Sequence, residues 1–167
     1  FDHEEVGSRT KQGAASALLP QLLSAIYRSL SLDEDDLAAD IADGFLLSVD
    51  AAHALHPNYP DKSDPTNRPR LGSGLVIKQA AGQSYVGDAT AAAIIKGLCE
   101  ANDIPYQTFA NRSSIPGGST LGAIASANLA MRGQDVGVPL LAMHSARETM
   151  ATADQEALTR LLRAFFS

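Results

Sequence analysis

Apolar residues recur along this chain with two different periods. Between Ser8 and Leu32 they fall at Ala14, Ala17, Leu18, Leu22, Ile26 and Leu30, close to every 3.6 residues. That spacing predicts a helix, with Ser8 placed to cap its start. Pro20 interrupts the stretch and predicts a kink or break. A second helix is expected over Asp33–Ala42, because a run of acids suits the positive end of a helix dipole and Gly44 suits its close. The pattern then shortens. Phe45–Asp50 is a compact apolar run ending on a carboxylate, and Leu75–Lys78, Tyr106–Ala110 and Val138–His144 are similar, so all four read as strands. Helices are expected over Asp88–Glu100, Thr120–Met131 and Thr152–Phe166, the last with Leu158, Leu161, Leu162 and Phe165 on one side.

Strands alternating with helices imply an α/β layered sheet with helices on both faces. Ala51–Gly74 breaks the alternation with four prolines and hardly any periodicity. A structured loop of that length inside a compact domain is usually functional. Neither a repeat nor a low-complexity linker divides the 167 residues, so one domain is expected.

Composition narrows the partners. A net charge of −6 argues against a nucleic-acid partner, which would call for a clustered basic face. No apolar run reaches the ~20 residues needed to span a bilayer, so no membrane partner is expected. The single cysteine, Cys99, cannot form an internal disulfide and reads as a buried thiol in a reducing cytoplasm. The chain starts without Met and in mid-pattern, as a piece of a longer protein would.

Candidate chemistry gathers at strand ends, where ligands bind in open α/β sheets. Phe1 is followed by Asp2, His3, Glu4 and Glu5; Asp50 and His53 follow one strand; His144 ends another. Carboxylates and imidazoles are the donors that Zn²⁺ takes in catalytic sites. Adjacent Glu4 and Glu5 fit a division of labour, one as metal ligand and the other as general base toward a water the metal polarises. Gly117-Gly118-Ser119-Thr120 ahead of a helix resembles a phosphate-binding loop only superficially, since no Lys follows. It reads as a structural turn whose amides face the cleft. Ser145 lacks nucleophile-elbow glycines and reads as a cap or a partner of His144.

"DHEEVGS", "SVDAAHALHPNYPDK", "RLGSGLVIK", "GGSTLG" and "LLAMHSARET" stand in an order that resembles the M18 metallopeptidases, the aspartyl aminopeptidases. The resemblance runs over essentially the whole chain and matches the C-terminal half of that family's catalytic domain, without its inserted oligomerisation domain. It implies a three-layer α/β/α sandwich with a central mixed sheet, incomplete at the N-terminus. It also implies a co-catalytic pair of zinc ions, although oxygen and nitrogen donors suit Mn²⁺ and Co²⁺ as well.

Glu4 then matches the general base, Glu5 and His144 the ligands of one metal, and Asp50 a ligand of the other. A further histidine and a bridging aspartate of the family belong to motifs ahead of Phe1. His53 and Tyr85 match groups that stabilise the oxyanion, with His53 also near the substrate carbonyl, and Lys78 matches a basic residue that selects an acidic side chain. Ser63, Asn67 and Ser113 stand where the family often shows histidines or an acid.

The implied substrate is a peptide with Asp or Glu at its N-terminus, cut by an enzyme that is a homo-oligomer at full length. The alternatives are an inactive fragment, a degenerate metal-binding or assembly module, and a related zinc amidohydrolase.

Overall fold

The computed structural model describes all residues, Phe1–Ser167. The first seventeen form a chain of turns rather than a strand and a helix. Helix α1 spans Leu18–Ser29, so the start expected at Ser8 lies ten residues too early. Pro20 therefore falls in the first turn, where backbone N–H groups have no helical partner, and it causes no break. Helix α2 spans Glu34–Asp43 behind a capping box, in which Asp33 accepts from Asp36 N and Asp36 accepts from Asp33 N.

Strand β1 covers Phe45–His53 and β2 covers Leu75–Gln79. Helix α3, Ala89–Ala101, is capped by Asp88, which accepts from Ala91 N at 2.7 Å. Strand β3 is Tyr106–Ala110, helix α4 Leu121–Leu129, strand β4 Arg132–Leu141, strand β5 Thr149–Met150 and helix α5 Thr152–Phe165. The sheet is mixed, in the order β1-β4-β2-β3, with β5 beside β4. β1 runs parallel to β4 and β2 parallel to β3, while β2 meets β4 antiparallel.

Alternation along the strands separates two faces. Leu75, Ile77, Val136 and Val138 pack with Ile95, Cys99, Leu158 and Leu161 of α3 and α5 into the main core. Truncating one of these buried aliphatic side chains to Ala costs ~2–5 kcal/mol. Ser48, Ala52, Val76, Lys78, Tyr85, Phe109 and Asp135 belong to the opposite side, where α4 packs on β1 and β4. Gly122 of α4 makes that approach possible, because a Cβ there would lie 2.3 Å from Ser48 Oγ. The expected three layers are therefore present, and the second face carries the polar residues of interest.

Candidate active site

The expected convergence occurs, but not at three strand ends. Asp50 and His53 lie within β1, which runs three residues beyond its expected end. β4 starts six residues before the expected Val138 and ends at Leu141, so His144 stands on the connection to β5. Lys78 is the penultimate residue of β2, and Tyr85 sits in the loop leading to α3. Glu4 and Glu5 belong to the N-terminal turn. All seven line one pocket of about 320 Å³, with Phe109, Ser119 and Met143 among the other residues of its wall.

Backbone conformation aims several of these groups. Ala142 and His144 have φ of 57° and 67°, and His3 has 62°, all in the left-handed region. Each such residue without glycine's freedom costs ~1 kcal/mol or more, a strain typical of positions held for a purpose. His144 N donates to Glu148 Oε1, which fastens the turned segment. His144 Nε2 then lies 3.0 Å from Glu5 Oε2, with both side chains about two-thirds exposed at the pocket mouth.

On the inner side, Lys78 Nζ contacts Asp50 Oδ2 at 3.2 Å and donates to Ala51 O at 2.9 Å. It also lies 4.3 Å from the centroid of the Tyr85 ring, close enough for a cation–π contact. Tyr85 Oη accepts from Asn111 Nδ2 at 3.0 Å.

These surroundings set the protonation of the site. Partial burial holds the Glu4 carboxyl above its usual range, and the neighbouring charges of Asp50 and Glu5 push the same way. Loss of water around His53, whose ring tilts against Phe109 with centroids 6.5 Å apart, lowers its pKa, as do Lys78 and His144. Burial raises Tyr85. Three carboxylates thus share a pocket with one buried ammonium, an excess of negative charge that favours a bound cation.

The donors present fit part of a metal shell. Glu5 and His144 already touch, and Asp50 faces the same pocket, yet no three His, Cys, Asp or Glu side chains converge on a single point. Asp50 is instead engaged with Lys78.

Other candidates fall elsewhere. His3 contacts Thr10 Oγ1 and His56 packs on Tyr59, and neither lines this pocket. Ser145 Oγ accepts from Arg147 N, the capping role expected of it. Gly118 and Ser119 form a pocket wall, as the turn reading anticipated.

Two groups escaped the sequence reading. Asn111 orients Tyr85, and Asp135 lies fully buried beneath the site. Asp135 accepts from Ser48 Oγ, from Thr120 Oγ1 at 2.6 Å and from Val86 N at 2.6 Å. It ties together β1, the turn before α4 and the loop that carries Tyr85. An acid directly ahead of the apolar run of β4 was the available signal.

A mixed α/β sheet with carboxylates, imidazoles and a buried lysine in one pocket has the layout of a metal-assisted hydrolase. A sequence model of the family described as Aminopeptidase I zinc metalloprotease (M18) matches residues 1–166. The chain belongs to this M18 family of zinc metallopeptidases.

It is 47% identical over 167 residues to a probable M18 family aminopeptidase 2 of Clostridium novyi, covering 100% of this chain and 39% of that protein. A probable aspartyl aminopeptidase of Ricinus communis is 42% identical over 166 residues, covering 99% of this chain and 34% of that protein. The chain thus spans about two fifths or less of these relatives. Among solved structures, it resembles a chain of the Ape4 and Nbr1 complex with a TM-score of 0.95 at 39% identity, covering 99% of this chain and 31% of that one. It also resembles the S. cerevisiae mApe1 dodecamer, with a TM-score of 0.83 at 26% identity, covering 99% of this chain and 36% of that one.

Proposed function

We propose that this chain is the C-terminal part of the catalytic domain of a zinc aminopeptidase that removes acidic residues from peptide N-termini. The observation that carries the reading is the contact of Glu5 with His144 at 3.0 Å, beside Glu4 and in one pocket with the Lys78–Asp50 pair. Family membership and the Ricinus relative's name support it.

Glu5 and His144 would hold one zinc and Asp50 the other, each needing further ligands that residues 1–167 do not bring to them. When bound, zinc supplies Lewis-acid polarisation of the peptide carbonyl and lowers the pKa of water. The remaining work belongs to side chains of this chain. Glu4 takes the proton of the attacking water on a carboxylate oxygen and returns it to the leaving amine nitrogen. Its raised pKa strengthens it as an acceptor. His53 and Tyr85 supply hydrogen bonds to the oxygen that gains charge as the carbonyl becomes tetrahedral. Lys78, only 5% exposed, attracts the substrate's side-chain carboxylate from a site with little competing water.

The complete protein is proposed to be a homo-oligomer, consistent with this chain's likeness to a dodecamer. No helix is long and apolar enough to cross a membrane.

The test is hydrolysis of glutamyl, aspartyl and leucyl chromogenic amides by the full-length protein, with zinc content measured on the same sample. Preference for the acidic amides, abolished by Glu4→Gln, is expected. Hydrolysis of N-acyl amino acids instead would assign an amidohydrolase, and absence of zinc together with absence of turnover would assign a binding or assembly module.

A further inference from the structure

Beyond His53 the pocket adjoins a larger cavity of about 440 Å³. One wall runs from His56 to Asp64 and the other from Phe109 to Gly118. His53, Phe109 and Gly118 line both spaces, so the two form one cleft with the site carboxylates at one end. A peptide held by its first residue near Glu4 and Lys78 has to send its remaining residues along this cleft. The volume falls in the range of about 300–1,000 Å³ typical of ligand pockets.

The wall chemistry is specific. Lys62 and Arg112 both line the cavity. The chain's ion pairs are Arg28–Glu34, Lys78–Asp50, Arg132–Asp88 and His144–Glu5, so neither cation has a carboxylate partner. Arg112 contacts only the backbone oxygen of Asp61.

The single acid in the lining, Asp64, is turned toward its own loop. Its Oδ1 accepts from Thr66 N, Thr66 Oγ1, Asn67 N and Asn67 Nδ2 at 2.7–3.0 Å. Those bonds hold its pKa down at about 2 and engage Oδ1, and neither Lys62 nor Arg112 pairs with the carboxylate. The backbone N–H groups of Gly117 and Gly118 also lack an acceptor within the chain. In a chain of net charge −6, two cations without a carboxylate partner beside N–H donors without an acceptor make an anion-binding wall.

We propose that this cavity is the leaving-peptide subsite, where Lys62 and Arg112 bind a carboxylate of the substrate downstream of the scissile bond. The carboxylate is either an acidic side chain one or two residues past that bond or the free C-terminus of a short peptide. The inference rests on the aminopeptidase reading for the direction in which the peptide runs.

The test uses the full-length protein and two readouts. Hydrolysis is followed for Glu-Ala-Asp-amide against Glu-Ala-Asn-amide, and for Glu-Ala-Ala with a free against an amidated C-terminus. Equilibrium binding of the corresponding product dipeptides is measured by titration calorimetry, which needs no turnover. The acidic member of at least one pair is expected to be favoured by ~5-fold, the scale of two partly exposed charge pairs, and less so at high salt. The two pairs tell a side-chain carboxylate from a terminal one.

In the double variant Lys62→Met/Arg112→Met the ratio collapses toward one. Lys62→Arg/Arg112→Lys retains it and controls for folding. Equal treatment of acidic and neutral members by the wild type overturns the proposal, as does a ratio that survives the double variant. A binding preference without hydrolysis of any peptide leaves the carboxylate site standing and overturns the aminopeptidase reading instead.

Discussion

Lys78 Nζ lies 3.2 Å from Asp50 Oδ2, joining a strand residue that is 5% exposed to one that is 39% exposed. The proposed specificity residue and a proposed metal ligand are thus paired with each other. A buried ammonium needs a compensating partner, and Asp50, Ala51 O and the Tyr85 ring supply it. Binding of a metal at Asp50 would weaken that hold and leave Lys78 to answer the carboxylate of an acidic substrate. The two binding events are then coupled.

Lys78→Met in the full-length enzyme should therefore lower the ratio of kcat/KM for glutamyl over leucyl substrates. Removing one partner of a buried charge pair costs ~2–5 kcal/mol, so a fall of ~30-fold or more is expected. Equal losses on both substrates would instead assign Lys78 to supporting Asp50 alone.

Glu4 and Glu5 are neighbours with separable consequences. Glu5 touches His144, whereas Glu4 has no such contact and a raised pKa. Glu4→Gln should reduce kcat by ~10²–10⁴-fold, the usual contribution of a general base, with zinc retained. Glu5→Gln should lower zinc content, and His144→Ala should do the same. Metal analysis beside steady-state kinetics separates the two patterns, and zinc loss in Glu4→Gln would reverse the assignment.

Local signals were legible in the chain and long-range ones were not. Helices α2 and α3 lie within one residue of their expected bounds because Asp33 and Asp88 cap them through bonds spanning two or three residues. α1 was extended too far because turns over residues 8–17 carry alanines at a helical spacing without forming a helix. The first half of β4 was missed because Gln134 and Asp135 break its apolar pattern, although both are fully buried. Their partners lie across the fold, and Gln134 Oε1 has none. Gln134 donates to Lys78 O, and Asp135 accepts from groups as far away as Ser48. β5 has two residues, too few to carry a period.

The site was legible as a set of residue types and illegible as a set of contacts. The strings around Glu4, Asp50 and His144 come together in one pocket. The Lys78–Asp50 pair spans 28 residues of sequence, and nothing in either segment announces it.

Cys99 lies fully buried in the main core, and burial pushes its thiol up to about 11. The thiolate is the reactive form, so at pH 8 it is scarce as well as inaccessible. Cys99 should resist a disulfide reagent in the folded protein and react once urea unfolds it. Peptide mapping of the labelled protein checks this, and rapid labelling under native conditions would contradict the packing of α3.

Asp135 offers a sharper test of how the site is supported. Burial raises its pKa above the usual 3.8, while the hydrogen bonds from Ser48, Thr120 and Val86 oppose that shift only in part. The charged form is therefore costly in the folded state, and acidification relieves the cost. Stability linked to this group should rise as pH falls from the raised folded-state pKa toward 3.8, and change no further below it. Asp135→Asn removes that dependence while still accepting from Val86 N and Thr120 Oγ1, with Ser48 Oγ turned to accept. Asp135→Ala strands the Val86 N–H and two hydroxyls in the interior, at about 3 kcal/mol or more. Thermal unfolding of the full-length protein near pH 7 and pH 4.5 distinguishes the variants. The Ala variant should melt well below wild type at both, and the Asn variant should compare less favourably with wild type at pH 4.5 than at pH 7. An Asn variant whose deficit shrinks on acidification would mean that Asp135 is stabilised as the carboxylate, and that Lys78 or the three donors outweigh its burial.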